Sequence, residues 1–463
     1  MAAAAGEPFL GEALRLASAF CGVELVRVPP GTESDLAYVE DREDCKAAIR
    51  IPRVRAYTET EVPPVPTDSD MERSCSTGRF PFDLVAAVRF WIADQGNADA
   101  PNTAFDRHDR LRPAASVQSR LGVLEIPIVN AYLLLLRGVL ERRLRVETRS
   151  FLPEGKRCVL LLTHDVDRPL DPGGLRHSLP LAGRALAKGR VSAVPYLGFA
   201  LAKGASARLR DPTGRHWLFD EVAAAEREHG FRSTFFFAPT SRFSRRGHHL
   251  DVGYDVAHPP FPELCRSLAR ASFEIGLHVG VRSGQRAEWI SAERERLSLV
   301  SGVDVRASRH HYWHLGRNFW RTLERHTAAG IEHDLSTAFA DSAGYRLGIA
   351  FPHRPWNPDS GEPIATLQMP TVAMDGAFFY EPGATVEGSL ERLESLIETM
   401  KRFEGVAAID WHQETSFPAS QRFAKWGRCY LALLDLLAAD PDVAVLTAGE
   451  VADAALSGRR LSS

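Results

Sequence analysis

The residues able to do chemistry cluster at the ends of short apolar runs. CVLLLTHDVD (158–167) ends in Thr163, His164, Asp165 and Asp167, and FEIGLHV (273–279) carries His278. VRASRHH (305–311) ends in Arg309, His310 and His311, and VAAIDWH (406–412) ends in Asp410, Trp411 and His412. Imidazole and carboxylate together suit a borderline divalent metal, Zn²⁺ first, with Fe²⁺, Co²⁺ and Ni²⁺ as alternatives. A metal-activated water with a carboxylate beside it is a common hydrolytic device. Asp165 and Asp167 sit two apart. They share a face if the strand stays regular; if it breaks at Val166 they diverge, leaving one to bind metal and the other to accept a proton. His412 is placed to protonate a leaving group, and Arg309 to keep the base carboxylate ionised.

Separate runs deliver such groups to one rim when they lie side by side and parallel. From residue 158 onward, apolar runs at 158–165, 233–239, 273–279, 305–311, 331–336, 365–370, 406–412 and 443–447 alternate with helical patterns. Buried strands alternating with helices predict a parallel sheet with crossover helices. Seven or eight such units fit a distorted (β/α) barrel of α/β class, whose reacting groups stand at the C-terminal strand ends. An open doubly wound sheet is the alternative, but no GxGxxG or GxxxxGK[ST] follows any run to support a nucleotide fold.

Residues 1–150 have a different texture and are expected to form a smaller α+β accessory domain, with the barrel over 151–463. Short strands and turns are predicted over 23–58, a Pro-rich loop over 60–80, and apolar helices over 82–93 and 128–143. No chemical constellation lies there, so packing or substrate gating is its expected work. Within the barrel, an insertion at about 170–215 carries Arg176, Arg184, Lys188, Arg190, Lys203, Arg208 and Arg210 between Asp171 and Asp211, with no acid. It is expected to be helical beside the barrel mouth. It is either a solvated face or a basic lid toward an anionic glycan or a membrane surface.

The 463 residues hold 56 Lys plus Arg against 59 Asp plus Glu, a formal charge of −3. That balance argues against a surface devoted to nucleic acid. The longest apolar stretches, at 84–93 and 128–140, fall short of the roughly 20 residues a membrane span needs. The N-terminus lacks the basic segment of a signal peptide, and six scattered cysteines without a CxxC read as reduced thiols. A cytoplasmic location is expected.

The barrel half resembles the polysaccharide deacetylase family, the NodB-homology, carbohydrate esterase family 4 type. LLLTHDVD (160–167) stands where that family has a TFDDG-like motif, and STFFFAP (233–239) resembles its second strand. EIGLHVGVR (274–282) keeps the first histidine of its HSxxH motif as His278, with Arg282 in place of the second, and AAIDWH (407–412) resembles the closing motif. The segment Arg309–His310–His311–Tyr312, with PHRPW (352–356) and MPTVAMDGAFF (369–379), is similar to a THDVD branch that carries an extra N-terminal domain. The resemblance spans roughly 155–457, the insertion excluded.

It implies an Asp-His-His metal site, Zn²⁺ foremost, and hydrolysis of an acylated amino sugar in a surface or secreted glycan. Asp165 matches the base, His278 the first metal histidine and His412 the general acid. The metal aspartate maps onto Val166 or, with a shifted register, onto Asp167. His311 has no counterpart in the family's motif; it is assigned as the third ligand because its strand end neighbours that of His278. Asp165 and His412 are then expected to face each other across a substrate-sized gap, with Arg309 near Asp165. Two other classes stay open: a carbohydrate-binding scaffold without activity, which the arginine at 282 favours, and hydrolysis of another non-peptide C–N bond.

Of the remaining candidates, His164 and His310 alternate away from their neighbours and are read as structural, and His248, His249 and His258 as solvated, with a substrate contact as the alternative. Trp313, Trp356 and Trp411 are divided evenly between sugar stacking and burial. Asp334 either lines the cleft or caps a helix. His353 and Arg354 lie in a loop, at its surface or in the site.

Overall fold

The computed structural model describes residues 2–3, 8–28, 34–39, 47–53, 57–58, 61–170, 216–239, 248, 250–419 and 422–462. The expectation of a helical basic insertion falls on 171–215, outside these residues. In the first part of the chain, β1 (Ala2–Ala3), β2 (Leu36–Val39) and β3 (Ile49–Pro52) pair in parallel. They accompany helices α1 (Leu10–Cys21), α2 (Asp68–Thr77), α3 (Leu84–Ile92), α4 (Val117–Arg120) and α5 (Ile128–Val139). Helix α3 starts where the Asp83 side chain accepts from Ala86 N, a standard satisfaction of an orphan N–H.

The second part runs β4 (Cys158–Val166), α6 (Phe219–Glu228), β5 (Thr234–Phe237), α7 (Phe261–Arg270), β6 (Glu274–Val279), α8 (Ala287–Ser301), β7 (Ala307–His310), α9 (Phe319–Ala328) and β8 (His333–Asp334). A small hairpin follows, β9 (Trp356–Asn357) with β10 (Glu362–Pro363). The chain ends with β11 (Leu367–Gln368), β12 (Thr371–Met374), α10 (Gly376–Phe379), α11 (Val386–Arg402), β13 (Val406–Asp410), α12 (Ala424–Ala439), β14 (Val443–Leu446) and α13 (Ala448–Ser457).

The main sheet is ordered β11-β8-β7-β6-β5-β4-β13-β12, with β14 against β4, and every pairing is parallel. Its two end strands are joined by Met369–Pro370, so the sheet curls into a distorted (β/α) barrel. All eight apolar runs of the sequence contain strands. The ninth strand, β12, escapes sequence reading because it is short and starts directly after a proline.

Alternation within the strands sorts side chains between two cores. Val159 and Leu161 join one core with Phe236, Ala307, Leu367, Met369 and Ala408; Cys158, Leu160 and Leu162 join the other with Phe235, Ile275, Leu277, Ala407 and Ile409. The second core lies under the outer helices α6, α7, α11 and α12. The first continues without a break into α1, α3 and α5 through Phe20, Trp91 and Leu136. Period two then carries the first face upward: 161, 163, 165 on β4; 276, 278 on β6; 307, 309 on β7; 408, 410 on β13. The apolar lower residues fill the interior, and the polar upper ones arrive at its rim.

Gly276 shows how tight that interior is. A Cβ there would lie 2.5 Å from ring atoms of Phe236, and that ring lies beneath the Arg309 guanidinium, 4.6 Å from its centroid. Gly276→Ala is expected to cost about 1–3 kcal/mol through overpacking. A denaturant titration that leaves the midpoint unmoved would contradict this account of the interior.

Candidate active site

Two groups of side chains meet at the rim. The first is Asp167, His278 and His311, each offering a donor atom within 4.8 Å of the others. His278 Nε2 lies 3.2 Å from Asp167 Oδ1, and His311 Nε2 lies 3.3 Å from Asp167 Oδ2. Behind them, His278 Nδ1 donates to the Arg309 carbonyl at 3.1 Å, which orients the ring so that Nε2 faces Asp167. His311 Nδ1 faces Asp251 at 3.9 Å. Asp251 is itself held by the backbone N–H groups of Val281 and His248. An imidazole backed by a carboxylate or carbonyl is the usual way to orient a metal-binding histidine.

Of the atoms that face one another here, Asp167 Oδ1 and His278 Nε2 are buried without a hydrogen-bond partner among the described residues. Such atoms are costly to leave unsatisfied. Two imidazoles and a carboxylate around one point fit a divalent ion of the Zn²⁺ type. Burial would raise the Asp167 carboxyl, but His311 and His278 hold it well below the usual range. Burial would lower His311, but Asp167 and Asp251 lift it to about 9.

The second group is Asp165, Asp410 and His412, also within 4.8 Å of one another. Here the cation is already present. Arg309 is fully buried, and its Nη1 donates to Asp165 Oδ1 at 3.1 Å and to Asp410 Oδ1 at 2.9 Å. Nη2 donates to Thr371 Oγ1, and the guanidinium sits 5.0 Å from the Trp313 ring centroid. Burial and the neighbouring Asp165 push the Asp410 carboxyl well above its usual range, against the pull of Arg309 and His412. Asp410 is fully buried behind Arg309, and Asp165 stands on the other side of the same Nη1.

His412 is held by a carboxylate of its own. Its Nδ1 lies 3.1 Å from both oxygens of Asp375, and its backbone N–H donates to Asp375 Oδ2 at 3.0 Å. Thr415 Oγ1 also donates to Asp375, at 2.6 Å. Burial lowers the imidazole, but Asp375, then Asp410 and Asp167, raise it well above its usual value. His412 Nε2 points to Asp167 Oδ2, 3.8 Å away. Glu414, buried next to it and 3.9 Å from Arg168, is raised to about 7 mainly by burial.

The structure thus brings Asp165, Asp167, His278, Arg309, His311 and His412 to one place. Asp165 and Asp167 diverge beyond the strand end, one toward Arg309 and the other toward the two histidines. The interval between Asp165 and His412 is narrower than the substrate-sized gap expected, because Asp410 and Arg309 draw Asp165 toward β13. Arg282 takes no part in the ligand group; its guanidinium lies 5.7 Å from the Trp289 ring centroid. Sequence reading missed Asp251, Asp375 and Glu414. Asp375 directly follows β12, the strand that was missed, and Glu414 sits two residues past His412. Asp251 lies in a Gly/His-rich loop, and nothing in its sequence context marks it.

Other expectations need correction. Trp411, Trp313 and Trp356 are all buried, so none offers a face for a sugar. His353 is fully buried and bonded to the Phe351 carbonyl, not a surface loop residue. Asp334 neither lines the rim nor caps a helix; it is buried among Ser308, Ser336, Gln368 and His326. His164 and His310, by contrast, are buried as their structural reading expects, His164 between Glu226 and the Trp411 carbonyl.

No protein-family model matches the chain, and no curated protein matches it by sequence. Solved structures similar to it include a Mycobacterium smegmatis protein described as a candidate polysaccharide deacetylase, at 17% identity and a TM-score of 0.42, covering 67% of this chain and 95% of that one. A Pseudomonas aeruginosa PAO1 protein with the same kind of description is similar at 12% identity and a TM-score of 0.40, over 65% of this chain and 91% of its own. A pseudoenzyme of carbohydrate esterase family 4 from Bacillus anthracis is similar at 10% identity and a TM-score of 0.31, over 64% of this chain and 66% of its own. These are likenesses of fold.

No helix among the described residues is long and apolar enough to cross a membrane.

Proposed function

We propose that the chain is a metal-dependent hydrolase that removes acyl groups, acetyl first, from amino sugars of a surface or secreted polysaccharide. The observation that carries this reading is the meeting, on one rim, of a carboxylate and two imidazoles whose donor atoms converge with a carboxylate–arginine pair and a carboxylate–histidine pair. Asp167, His278 and His311 would hold the ion, whose contribution when bound is Lewis-acid polarisation of an oxygen. Asp165 takes a proton from the attacking water, with Arg309 fixing its position. His412, kept as imidazolium by Asp375, gives a proton to the departing amine nitrogen. Water is thereby divided between a free carboxylic acid and a free amine. The five cysteines among the described residues are unpaired, and a cytoplasmic location is part of this proposal.

The test is acetate release from acetylated amino-sugar oligomers by the purified protein, before and after chelation and Zn²⁺ return. Activity that survives complete metal removal defeats the metal-dependent reading. A metal-loaded protein that cleaves only small cyclic amides would move the substrate assignment instead.

The pairing of His412 with Asp375 sets a pH signature. A raised pKa keeps the imidazole charged through neutral pH and releases the proton as pH climbs through that raised value. Asp410, Asp167 and Glu414 also face His412, but Asp375 is the largest support. Asp375→Asn is expected to move the alkaline limb of kcat/KM down by about 1–3 pH units. An alkaline limb that stays in place would remove His412 as the proton donor.

A further inference from the structure

The site has a contribution from far upstream in the chain. Residues 102–112 close over the corner that follows β7. Arg110 Nη1 donates to the Tyr312 carbonyl at 3.2 Å. The His108 ring stacks on Tyr312 with centroids 5.0 Å apart and planes 20° apart. Arg317, on the far side of the corner, donates to Asp109 Oδ1 at 3.0 Å and to Asn102, and lies 4.8 Å from the Phe105 ring centroid.

What these contacts enclose is an uncommon backbone. Tyr312 has φ +59° and Trp313 has φ +54°, two successive left-handed residues without a glycine. Large side chains disfavour that region, and such a pair persists only where its surroundings over-determine it. Trp313 is fixed from the barrel side by Met374 and Arg309. Tyr312 is 36% exposed. The stacking and the carbonyl bond reach it from the 102–112 segment. The residue immediately before this corner is His311. Its Cα leaves the end of β7, and the corner decides whether its ring reaches Asp167 and His278 or follows the chain away.

We infer that the segment 102–112 is a strut for the metal centre, in which His108 and Arg110 are positioning residues that hold the Tyr312–Trp313 corner and so aim His311. The inference rests on the reading of Asp167, His278 and His311 as a metal site. It gives the N-terminal part of the chain a defined task in the chemistry of the barrel.

The experiment uses the full chain and Co²⁺, with affinity measured by competition against a chromophoric chelator and geometry by the visible Co²⁺ spectrum. The double variant His108→Ala/Arg110→Ala is expected to bind Co²⁺ roughly 10–100-fold more weakly with an altered spectrum. His108→Phe, which keeps the stack, is expected to stay near the wild type, and His311→Ala sets the floor. A folded double variant with wild-type affinity and spectrum overturns the strut while leaving the metal reading intact. A wild-type chain that binds neither Co²⁺ nor Zn²⁺ overturns the metal reading. If the double variant does not fold, the single changes His108→Ala and His108→Phe decide: equal affinity in both defeats the inference, and loss only in the alanine variant supports it.

Discussion

Asp165→Asn is expected to lower turnover by about 10²–10⁴-fold while the protein still folds. The amide keeps the size of the carboxylate and still accepts the hydrogen bond from Arg309, but it cannot take a proton from water. Folding survives because Arg309 does not lose its only counter-charge. Asp410 lies 2.9 Å from the same Nη1, and its carboxyl is pushed upward by burial and by the neighbouring Asp165. Once Asp165 is neutral, that repulsion is gone and Asp410 is free to ionise against the buried guanidinium, which would otherwise be a costly unpaired charge. The same reasoning gives an internal control. Asp410 is fully buried behind Arg309 and its surroundings favour the neutral form that asparagine mimics, so Asp410→Asn is expected to retain much more activity than Asp165→Asn. Steady-state kinetics on both variants, with circular dichroism and denaturant midpoints alongside, checks this. Equal losses at the two positions would mean that the pair shares the base role, and a fully active Asp165→Asn protein would remove it from the chemistry.

The barrel was legible in the sequence because parallel strands buried on both faces are written as unbroken apolar runs, and CVLLLTHDV is such a run. The site was legible for the same reason: polar residues at the end of an apolar run have nowhere to go but the rim. Parity sorted them as well, since odd positions on β4 and β7 face inward and even ones outward, which separates Asp165 from His164 and Arg309 from His310. What was not legible came from segments without that grammar. Asp375 follows a strand of four residues that begins at a proline-flanked threonine, and Asp251 sits in a loop where only three-dimensional folding brings it behind His311. The tryptophans were undecidable because a residue type that suits sugar stacking suits a core equally well. Trp411 went to the core because, directly after β13, it continues the outward-facing alternation, toward Phe378 and Tyr430. The close joining of the first 150 residues to the barrel interior was hidden because helices such as α3 and α5 state that they bury an apolar face, but not against what.

His311→Ala is expected to weaken Zn²⁺ binding by more than about 100-fold, a larger loss than outer contacts typically cause. The case for His311 rests on where the ligand set is completed. In the motif pattern that the sequence resembles, the histidine four residues after His278 would supply the third donor, and here that position is Arg282. A guanidinium carries no lone pair for a metal, and this one lies over Trp289. The third donor arrives instead from the neighbouring strand, with the His311 ring centroid 4.9 Å from that of His278 and Asp167 between their Nε2 atoms. Pairing of β6 with β7 puts His278 opposite Arg309, so the residue two further on shares its face at the next level of the rim. Arg282→Ala should therefore leave the affinity unchanged, whereas His278→Ala should lose it as His311→Ala does. Metal content after equilibrium dialysis against a buffered Zn²⁺ series separates the possibilities. Wild-type zinc in the His311→Ala protein would show that Asp167 and His278 suffice with solvent. Zinc lost from Arg282→Ala would contradict the expectation that this arginine takes no part in holding the ion.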